Sequence, residues 1–419
     1  EPRWLRPLRR GPERRRVMRR VPIAARPDWG RRAEDCGFAF HTIDGQPYWD
    51  ETAYYAFDLR QIEDDIEDPT AELHAMAMEL AGEAAGSQEL MERLAIPEHA
   101  RDLVAESWRR REPHLYGRID LAYDGRGPAK LYEYNYDTPT SLFEAAFFQW
   151  DWLERQRERG ALPRGADQFN AIHEALVERF AAIAGRLPAP LYFSASMDSA
   201  EDQGTVEYLR DCAAQAGIAA GTVAIEDIGL SADGRFTALD DAVIGSLFKL
   251  YPLEDLFADA FASALPGSGL QLLEPAWKLL LSNKGVLPLL WERHRGHPNL
   301  LPAEFDDGNA ALPPGWVRKP LFSREGANIE MRLEDGSALH QPGPYGGPGI
   351  RQALHLLPEH AGAWPLVGSW VVGDQACGMG IREDDSPITR DSARFVPHAI
   401  IGDGSARASA HSGRMVLEA

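Results

Sequence analysis

The chain has 419 residues, of which 44% are hydrophobic and 26% charged, and its formal net charge is −20. This composition allows two or three domains with sizeable cores and excludes global disorder. No apolar run is long enough to span a bilayer, and the acidic body disfavours nucleic acid as a ligand. Three widely spaced cysteines without CxxC spacing argue against a disulfide framework or a zinc site and favour a reducing, cytoplasmic location.

The basic residues are concentrated at the start of the chain. Residues 1–32 carry a net charge of +9 and the remainder −29. A nucleic-acid-binding arm is one interpretation of this leader. The interpretation we favour is that Met18 is a translation start and that residues 1–17 are upstream sequence or a processed stub. We therefore expect residues 1–33 to lie outside the fold, and the absence of an apolar stretch argues against a secretory signal.

Two segments in the first third of the chain predict a β-hairpin. GRIDLAY (117–123) and KLYEYN (130–135) alternate polar and apolar residues on either side of the turn sequence DGRG. Helical spacing or strand-like alternation predicts the other elements. These are helices at 70–86, 99–112, 142–160 and about 167–185, a small parallel α/β unit from about 190, helical segments over 274–291, a strand at 316–321 and a second hairpin over 364–384.

The predicted first hairpin places four polar side chains together. Arg118 and Asp120 are two residues apart on one strand, and Glu133 and Asn135 are two apart on the other, so each pair shares a face. Two carboxylates and an amide oxygen suit Mg²⁺ completed by water and nucleotide phosphates. An ordinary hairpin with a polar face is the alternative.

More oxygen atoms follow directly in the sequence DTPTS. Asp137, Thr138, Thr140 and Ser141 add a carboxylate and three hydroxyl groups at the end of the predicted strand. They favour a metal and phosphate site there. Thr138–Thr140 is also typical of a cap for the helix that follows, and both functions can hold together.

Lysine is rare in this chain. Only five of the 44 basic residues are Lys. Lys284 and Lys319 are well separated, and a loop containing Gly326 follows the second, an arrangement that suits nucleotide phosphates. A surface lysine before a proline is the alternative for Lys319, and Lys278 is expected on a helix surface. Neither a Walker A loop nor a Rossmann fingerprint is present.

Weaker signals lie near the end of the chain. Arg382 follows a predicted strand and could close the phosphate or amine side of a site, and Gln352 and His355 could contact a nucleotide base. The Gly/Pro-rich segment 340–349 is a candidate mobile lid.

Three motifs together resemble a known family. They are R-x-D…E-x-N with DTPTS, PAWKLLLSNKGVLPLLW (275–291) and RKPLFSREGANI (318–329). This set is similar to the synthetase domain of glutathionylspermidine synthase, and more closely to its stand-alone, amidase-lacking homologues, over about residues 18–419. The resemblance implies an α/β (α+β) chain with a circularly permuted ATP-grasp fold. Its expected parts are a metal-binding first part (34–186), a small pre-ATP-grasp-like domain (187–270) and a nucleotide-binding part (271–419).

The resemblance also implies roles for individual residues. Arg118 would contact the ATP phosphate and the acyl group as the catalytic residue, and Asp120, Glu133 and Asn135 would bind Mg²⁺. Thr138 and Thr140 match substrate-binding positions, and the segment 196–202, with Asp198, is a loose match to an acidic amine-recognition loop. The implied ATP-binding residues are Arg118, Lys284, Lys319, Ser323, Arg324, Gly326, Gln352, His355, Ile381, Arg382 and Glu383.

The sequence therefore predicts an ATP- and Mg²⁺-dependent ligase that joins an acid to an amine through an acyl phosphate. The expected partners are a small-molecule acid, such as a glutathione-like peptide, and an amine, such as a polyamine, with no nucleic acid and no membrane. Alternatives are a ligase for a different acid and amine, a nucleotide-binding regulator without ligation and an acidic scaffold. Too few residues precede the synthetase region for the family's N-terminal amidase, so no amidase activity is expected.

Overall fold

The computed structural model describes residues 18–43 and 45–402. In its first part, helices surround a long antiparallel hairpin. A π-helical segment, Glu144–Phe148, interrupts the predicted helix at 142–160. The elements of this part are β1 (Arg19–Pro22), α1 (Trp29–Asp35), β2 (Thr42–Ile43), β3 (Gln46–Pro47), β4 (Ala53–Phe57), α2 (Leu59–Ile62), α3 (Asp68–Ala85), α4 (Gln88–Arg93), α5 (Glu98–Arg109), β5 (Tyr116–Ala122), β6 (Lys130–Asn135), α6 (Gln149–Glu158) and α7 (Ile172–Ile183).

Residues 18–33 belong to the fold, so the expectation for this part of the leader was wrong. Strand β1 pairs antiparallel with β4. Arg26 is 1% exposed and donates hydrogen bonds to the carboxylates of Glu51 and Asp151. A guanidinium group held by two carboxylates satisfies its donors and remains buried, which composition alone does not reveal. Residues 1–17 lie outside the described part of the chain.

The middle of the chain forms a parallel sheet. Its strand order is β12-β11-β7-β8, and α8 connects β7 to β8, as the alternating pattern predicted. The limits of the three expected domains stay predictions. The elements are β7 (Leu191–Ala195), α8 (Ala200–Gln215), β8 (Ala220–Ala224), β9 (Gly229–Leu230), β10 (Phe236–Thr237), β11 (Ser246–Lys249), α9 (Leu253–Ala258) and β12 (Gln271–Leu273).

The last part contributes strands to two five-stranded sheets. One sheet is made only from this part, in the order β13-β17-β14-β15-β16. The other joins the late hairpin to the early one, in the order β20-β19-β18-β5-β6. The elements are α10 (Val286–Arg293), β13 (Ala303–Asp306), β14 (Trp316–Pro320), β15 (Glu330–Arg332), β16 (Ala338–His340), β17 (Gly349–Ala353), β18 (Trp364–Val372), β19 (Gln375–Asp384), β20 (Arg394–Phe395) and β21 (His398–Ile400).

The pairing of β5 with β18 determines the centre of the molecule. Gly368 on β18 lies opposite Asp120, and a Cβ atom there would approach the Cδ atom of Arg118 to 2.7 Å. A side chain at position 368 would therefore displace Arg118. Every residue of β5 is buried. The polar residues of β5 are consequently interior, whereas Glu133 and Asn135 on β6 are half-buried.

Candidate functional site

A cleft with an empty volume of about 720 Å³ is lined by residues of both five-stranded sheets and by loop 323–328. Nine of the residues that the sequence singled out line it. They are Asp120, Glu133, Lys284, Lys319, Ser323, Gly326, Gln352, His355 and Arg382. The structure thus brings together residues that are far apart in sequence. The largest separation is 262 positions, between Asp120 and Arg382, and the side chains of these two residues are in contact.

One end of the cleft is built from the first hairpin. Its register places Asp120 opposite Glu133 and Arg118 opposite Asn135. Arg118 donates from Nε to Oδ1 of Asp120 at 2.7 Å and from Nη2 to Oδ2 at 3.1 Å. Asn135 donates from Nδ2 to Oδ2 of Asp120 at 3.0 Å. The predicted grouping of these four side chains is therefore present.

The first hairpin contains a β-bulge next to Asp120 and Glu133. The register shifts after Asp120, so that Leu121 pairs with Leu131 and Tyr132 is the extra residue. Its carbonyl oxygen accepts a hydrogen bond from Nζ of Lys319 at 3.2 Å, and its ring lies 5.1 Å from the same atom. Bulges commonly redirect side chains beside active sites. The alternating sequence pattern does not reveal it.

The two predicted lysines occupy neighbouring positions above the acidic hairpin. Nζ of Lys284 lies 3.2 Å from Oε2 of Glu133 and donates to the carbonyl oxygen of Ser323 at 2.5 Å. Nζ of Lys319 donates to Oε1 of Gln352 at 2.8 Å. Lys319 is 6% exposed, so the alternative of a surface lysine is wrong. The cleft thus concentrates two ammonium groups beside two carboxylates.

At both Glu133 and Lys319, burial and the charge of neighbouring groups have opposite effects on the pKa. Burial opposes the charged form of Glu133, but Lys284 and Lys319 outweigh it and lower the pKa of this carboxyl group to about 2. Burial lowers the pKa of Lys319 to about 8, although Glu133 partly offsets the effect. An anionic ligand next to Lys319 would hold this lysine in its charged form.

Loop 323–328 covers the lysine end of the cleft. Gly326 has a φ of +71°, and a Cβ atom there would lie 2.6 Å from the carbonyl oxygen of Thr389. Only glycine fits this close approach and this left-handed conformation. The backbone N–H of Tyr345, in the segment predicted as a lid, donates to Oδ1 of Asn328 at 2.8 Å. The two loops are therefore in direct contact.

An apolar wall also lines the cleft. Val317, Ile329, Met331 and Ile388 form one buried cluster and are lining residues. The backbone carbonyl of His355, another lining residue, accepts a hydrogen bond from the hydroxyl of Tyr132. The cleft therefore combines two ammonium groups with an apolar wall, which suits the phosphates and the base of a nucleotide.

Eight predicted site residues are not among those that line the cleft, and three of them, Ile381, Glu383 and Asp198, are described first. The side chain of Ile381 has no exposed surface and belongs to the core. Glu383 receives hydrogen bonds from Arg20, Arg394 and Tyr55 outside the cleft, because it alternates with Arg382 along β19. Asp198 is exposed and does not line the cleft. The predicted nucleotide contact of the Glu383 side chain is therefore not supported.

The segment DTPTS lies between the hairpin and the parallel sheet. Nη1 of Arg118 donates to the carbonyl oxygen of Thr140 at 2.7 Å. Arg324 donates to Oγ1 of Thr138 at 2.7 Å and to Oε1 of Glu254 at 2.6 Å. Within the described residues, neither threonine side chain caps the helix that follows, because neither helical segment there has a side-chain cap hydrogen bond.

A fully buried ion pair fixes the start of this segment. Nζ of Lys249, on β11, donates to Oδ1 of Asp137 at 2.6 Å, and the N–H of Leu253 donates to Oδ2 at 2.6 Å. Both charged side chains are at most 1% exposed. Sequence reasoning missed this role for Lys249, and the low lysine content was the only available signal.

Lys278 is not on a helix surface, so that expectation was wrong. It is 1% exposed, and its Nζ donates to the carbonyl oxygen of Tyr116 at 2.9 Å and lies 3.3 Å from Oε2 of Glu274. Glu274 in turn accepts two backbone N–H groups at the start of β5. Lys278 and Glu274 together therefore hold the start of β5 in place.

Five carboxyl groups interact electrostatically with Arg382 or with one another. We call this set the acidic group. Burial raises the pKa of Glu144 to about 7 and that of Glu201 to about 8, and the charge of Glu144 adds to the second shift. Its members are Glu144, Glu201, Asp202, Glu325 and Asp391. Glu201 and Asp202 belong to the predicted amine-recognition segment 196–202 and lie in the first turn of α8.

The first hairpin has a donor set that fits Mg²⁺. Asp120 and Glu133 offer carboxylate oxygens, and the Asn135 amide donates through nitrogen, which leaves its oxygen for a ligand. Within residues 18–43 and 45–402 no cluster of three or more His, Cys, Asp or Glu side chains could hold a metal by itself.

Comparison with known proteins assigns the family. The family model described as glutathionylspermidine synthase preATP-grasp matches residues 20–401. The chain belongs to the glutathionylspermidine synthase family. A Haemophilus influenzae protein described as a "putative acid–amine ligase" is 41% identical over 92% of this chain and 100% of its own length.

More distant members of the glutathionylspermidine synthase family are longer than the region matched. Trypanothione synthetase from Crithidia fasciculata is 27% identical over 76% of this chain and 52% of its own length. The bifunctional glutathionylspermidine synthetase/amidase of Escherichia coli is 24% identical over 87% of this chain and 62% of its own length.

Among solved structures, a glutathione synthetase-like effector from Globodera pallida shares the fold, with a TM-score of 0.58 at 11% identity over 91% of this chain and 99% of its own. The predicted mixed α/β, ATP-grasp-type fold is confirmed, and circular permutation stays a prediction. As a member of the glutathionylspermidine synthase family, the chain is an ATP-dependent carbon–nitrogen ligase of the acid–amine type. No helix in the described ranges is long and apolar enough to cross a membrane.

Proposed function

We propose that this enzyme joins the carboxylate of a small peptide-like acid to a primary amine, with ATP and Mg²⁺, through an acyl phosphate. The observation that carries the proposal is the contact between Lys284 and Glu133 in a cleft that also has an apolar wall. A nucleotide placed there would direct its phosphates to the two lysines and its base to the apolar wall. The acid and the amine would then meet beside Arg118.

The phosphate end is arranged for phosphoryl transfer. A carboxylate oxygen of the acid would attack the γ-phosphorus, and ADP would leave. Lys284 and Lys319 neutralise charge on the phosphate oxygens, and loop 323–328 excludes water. Asp120, Glu133 and Asn135 would hold Mg²⁺, which supplies further neutralisation of the transferred phosphoryl group.

Arg118 connects this chemistry to the acid. Its Nη1 atom contacts the carbonyl of Thr140, and its other nitrogens are fixed by Asp120, so the guanidinium lies between the hairpin and the DTPTS segment. Burial alone would lower the pKa of Arg118, but Asp120 outweighs it and the group stays charged. In this position Arg118 can stabilise the acyl oxygen as it becomes anionic.

The acidic group supports a cationic amine as the second substrate. Its carboxyl groups interact electrostatically with one another or with Arg382, which itself lines the cleft. We place the ammonium group of the amine at Glu201. A polyamine would satisfy more than one of these carboxylates, and glutathione and spermidine, the compounds named for the E. coli relative, are the first pair to test.

Release of ADP from ATP and Mg²⁺, measured against a panel of acids and amines, tests the proposal. A ligase shows stimulation by one acid–amine pair and forms the corresponding amide, detected by mass spectrometry. Tight ATP binding without stimulation by any pair would instead indicate a nucleotide-binding regulator.

A further inference from the structure

The side chain of Gln352 is a buried amide beside one of the two cleft lysines. Gln352 lies on β17, is 3% exposed and lines the cleft. It is paired with Val317 of β14, so Lys319, two residues further along β14, is its diagonal neighbour on the same face. A buried amide needs hydrogen-bond partners, because its desolvation is otherwise uncompensated. The partners of Gln352 therefore indicate what its side chain does.

Both ends of the Gln352 amide are engaged. Oε1 accepts a hydrogen bond from Nζ of Lys319 at 2.8 Å, and Nε2 donates to the carbonyl oxygen of Leu131 on β6 at 3.0 Å. An ammonium group can only donate and a carbonyl oxygen can only accept, so these neighbours permit one orientation of the amide. Gln352 thus connects the sheet that carries Lys319 to the hairpin that carries Glu133, and both polar atoms of its side chain are used in doing so.

The Lys319 ammonium group has few acceptors around it. Among the described residues Nζ has two, Oε1 of Gln352 and the carbonyl oxygen of Tyr132 at 3.2 Å, and the shorter bond is the one to Gln352. The ring of Tyr132 adds a cation–π contact at 5.1 Å. An ammonium group has three N–H donors, so one donor remains for a ligand. The charged groups that act on Lys319 are Asp120, Glu133 and Lys284.

We propose that Gln352 is a positioning residue: it keeps the Lys319 ammonium group charged and directed at the nucleotide phosphates, and it does not read the base. The inference rests on the proposed function, because that function places the phosphates at this lysine. Desolvation disfavours a charged lysine inside a protein, and an acceptor that binds the ammonium form more strongly than the neutral amine opposes this effect. Burial lowers the pKa of Lys319 to about 8, so without this acceptor the lysine would lose much of its charge near neutral pH.

Two substitutions at position 352 should move the titration of Lys319 in opposite directions. Gln352→Met keeps the length of the side chain and removes the acceptor, whereas Gln352→Glu keeps an acceptor and gives it a negative charge. A hydrogen bond to a charged group corresponds to about one pKa unit, so Lys319 should titrate about one pH unit lower in Q352M and higher than in the wild type in Q352E. NMR of the ligand-free chain labelled with ¹³C at lysine Cε measures this pKa directly, because the chain has only five lysines and Lys319→Arg identifies the signal.

Binding of ADP with Mg²⁺, measured by calorimetry, provides a second readout. From about pH 6 to pH 8 the Kd should rise by about twofold in the wild type and about tenfold in Q352M, because the lysine of the variant loses its charge earlier. The ratio of the ADP and GDP affinities should stay at its wild-type value. Gln271 is half-buried on β12 and does not line the cleft, so Gln271→Met is the matched control and should reproduce the wild-type pH dependence.

Any of three results would overturn the inference. The first is a Lys319 pKa in Q352M that equals the wild-type value, and the second is a Kd raised by the same factor at both pH values, which would indicate a structural defect. The third is a changed ratio of the ADP and GDP affinities, which would assign the side chain to the base. Q352E decides the question if Q352M does not fold, because a Lys319 pKa that fails to rise contradicts the proposed contact. The NMR titration needs no turnover, so a chain that releases no ADP with any acid–amine pair refutes the proposed function and leaves this result intact.

Discussion

Glu133 is the residue on which the phosphate end of the cleft depends. It contacts Lys284, and Lys284 and Lys319 together lower its pKa to about 2, so it is ionised throughout the physiological range. Glu133→Gln should reduce ATP turnover by about 10²- to 10³-fold, as expected when one charge-stabilising contact is lost. The measurement is the rate of ADP release with saturating acid and amine.

Asp124 offers a matched control for this substitution. It is an exposed carboxylate at the turn of the same hairpin and does not line the cleft. Asp124→Asn should leave ADP release unchanged. A wild-type rate in the Glu133→Gln variant would contradict the assignment of this hairpin to the metal and phosphates.

Lys319 should make ATP binding sensitive to alkaline pH. Burial lowers its pKa to about 8 in the nucleotide-free enzyme, so it becomes neutral as the pH rises above that value. Phosphate binding requires the charged form and therefore raises this pKa. The KM for ATP should increase by up to about tenfold for each pH unit above 8.

Lys319→Arg separates this effect from other alkaline transitions. Arginine keeps its charge over the same range, so the KM of the variant should be nearly independent of pH, whatever its absolute value. A wild-type KM that does not change between about pH 7 and 9.5 would show that Lys319 does not bind the phosphates in its charged form.

At the level of the elements, the ion pair between β11 and the end of β6 should contribute strongly to stability. Asp137 and Lys249 are both at most 1% exposed. Removing one partner by Lys249→Met leaves Asp137 charged and unpaired in the interior. This variant should lose about 3–5 kcal/mol of unfolding free energy, measured by denaturant titration.

A double-mutant cycle tests whether the loss belongs to the pair. Asp137→Asn combined with Lys249→Met should cost less than the two single variants added together. Glu292, paired with Arg93 on the surface, supplies the control, since Glu292→Gln should cost less than about 1 kcal/mol. Additive losses would show that the ion pair is not the reason for the instability.

The elements also show where sequence patterns succeed. Alternation in GRIDLAY and KLYEYN predicted two antiparallel strands with Asp120 facing Glu133, and the register confirms it. The bulge at Tyr132 was not predictable, because a single inserted residue leaves the local alternation almost unchanged. The same limit applies to Lys278, whose helix-like context gave no sign that β5 would cover it.

For the molecule as a whole, a bound nucleotide should connect the two five-stranded sheets. Ligand at about 100 times its Kd stabilises the folded state by about 2.7 kcal/mol, and ADP with Mg²⁺ should therefore raise the melting temperature. Hydrogen exchange should slow in 323–328, which contributes residues to the cleft, and in the loop around Tyr345, whose backbone N–H donates to Asn328.

A variant that lacks both ammonium groups provides the control for this experiment. Lys284→Met with Lys319→Met should show no nucleotide-dependent protection in either loop. Equal exchange of the wild-type loops with and without nucleotide, under conditions where binding is shown independently, would contradict the prediction that 340–349 is a lid.

The sequence by itself determined the family, the ligase class and nine of the 19 residues that line the cleft. It could do so because motifs such as R-x-D and E-x-N lie on single strands, where side-chain direction follows from local spacing. Only the tertiary structure decided which distant segments meet. It turned Glu383 away from the cleft and buried Lys249 against Asp137. These contacts join elements that are far apart in sequence, and no local pattern of charge or hydrophobicity records them.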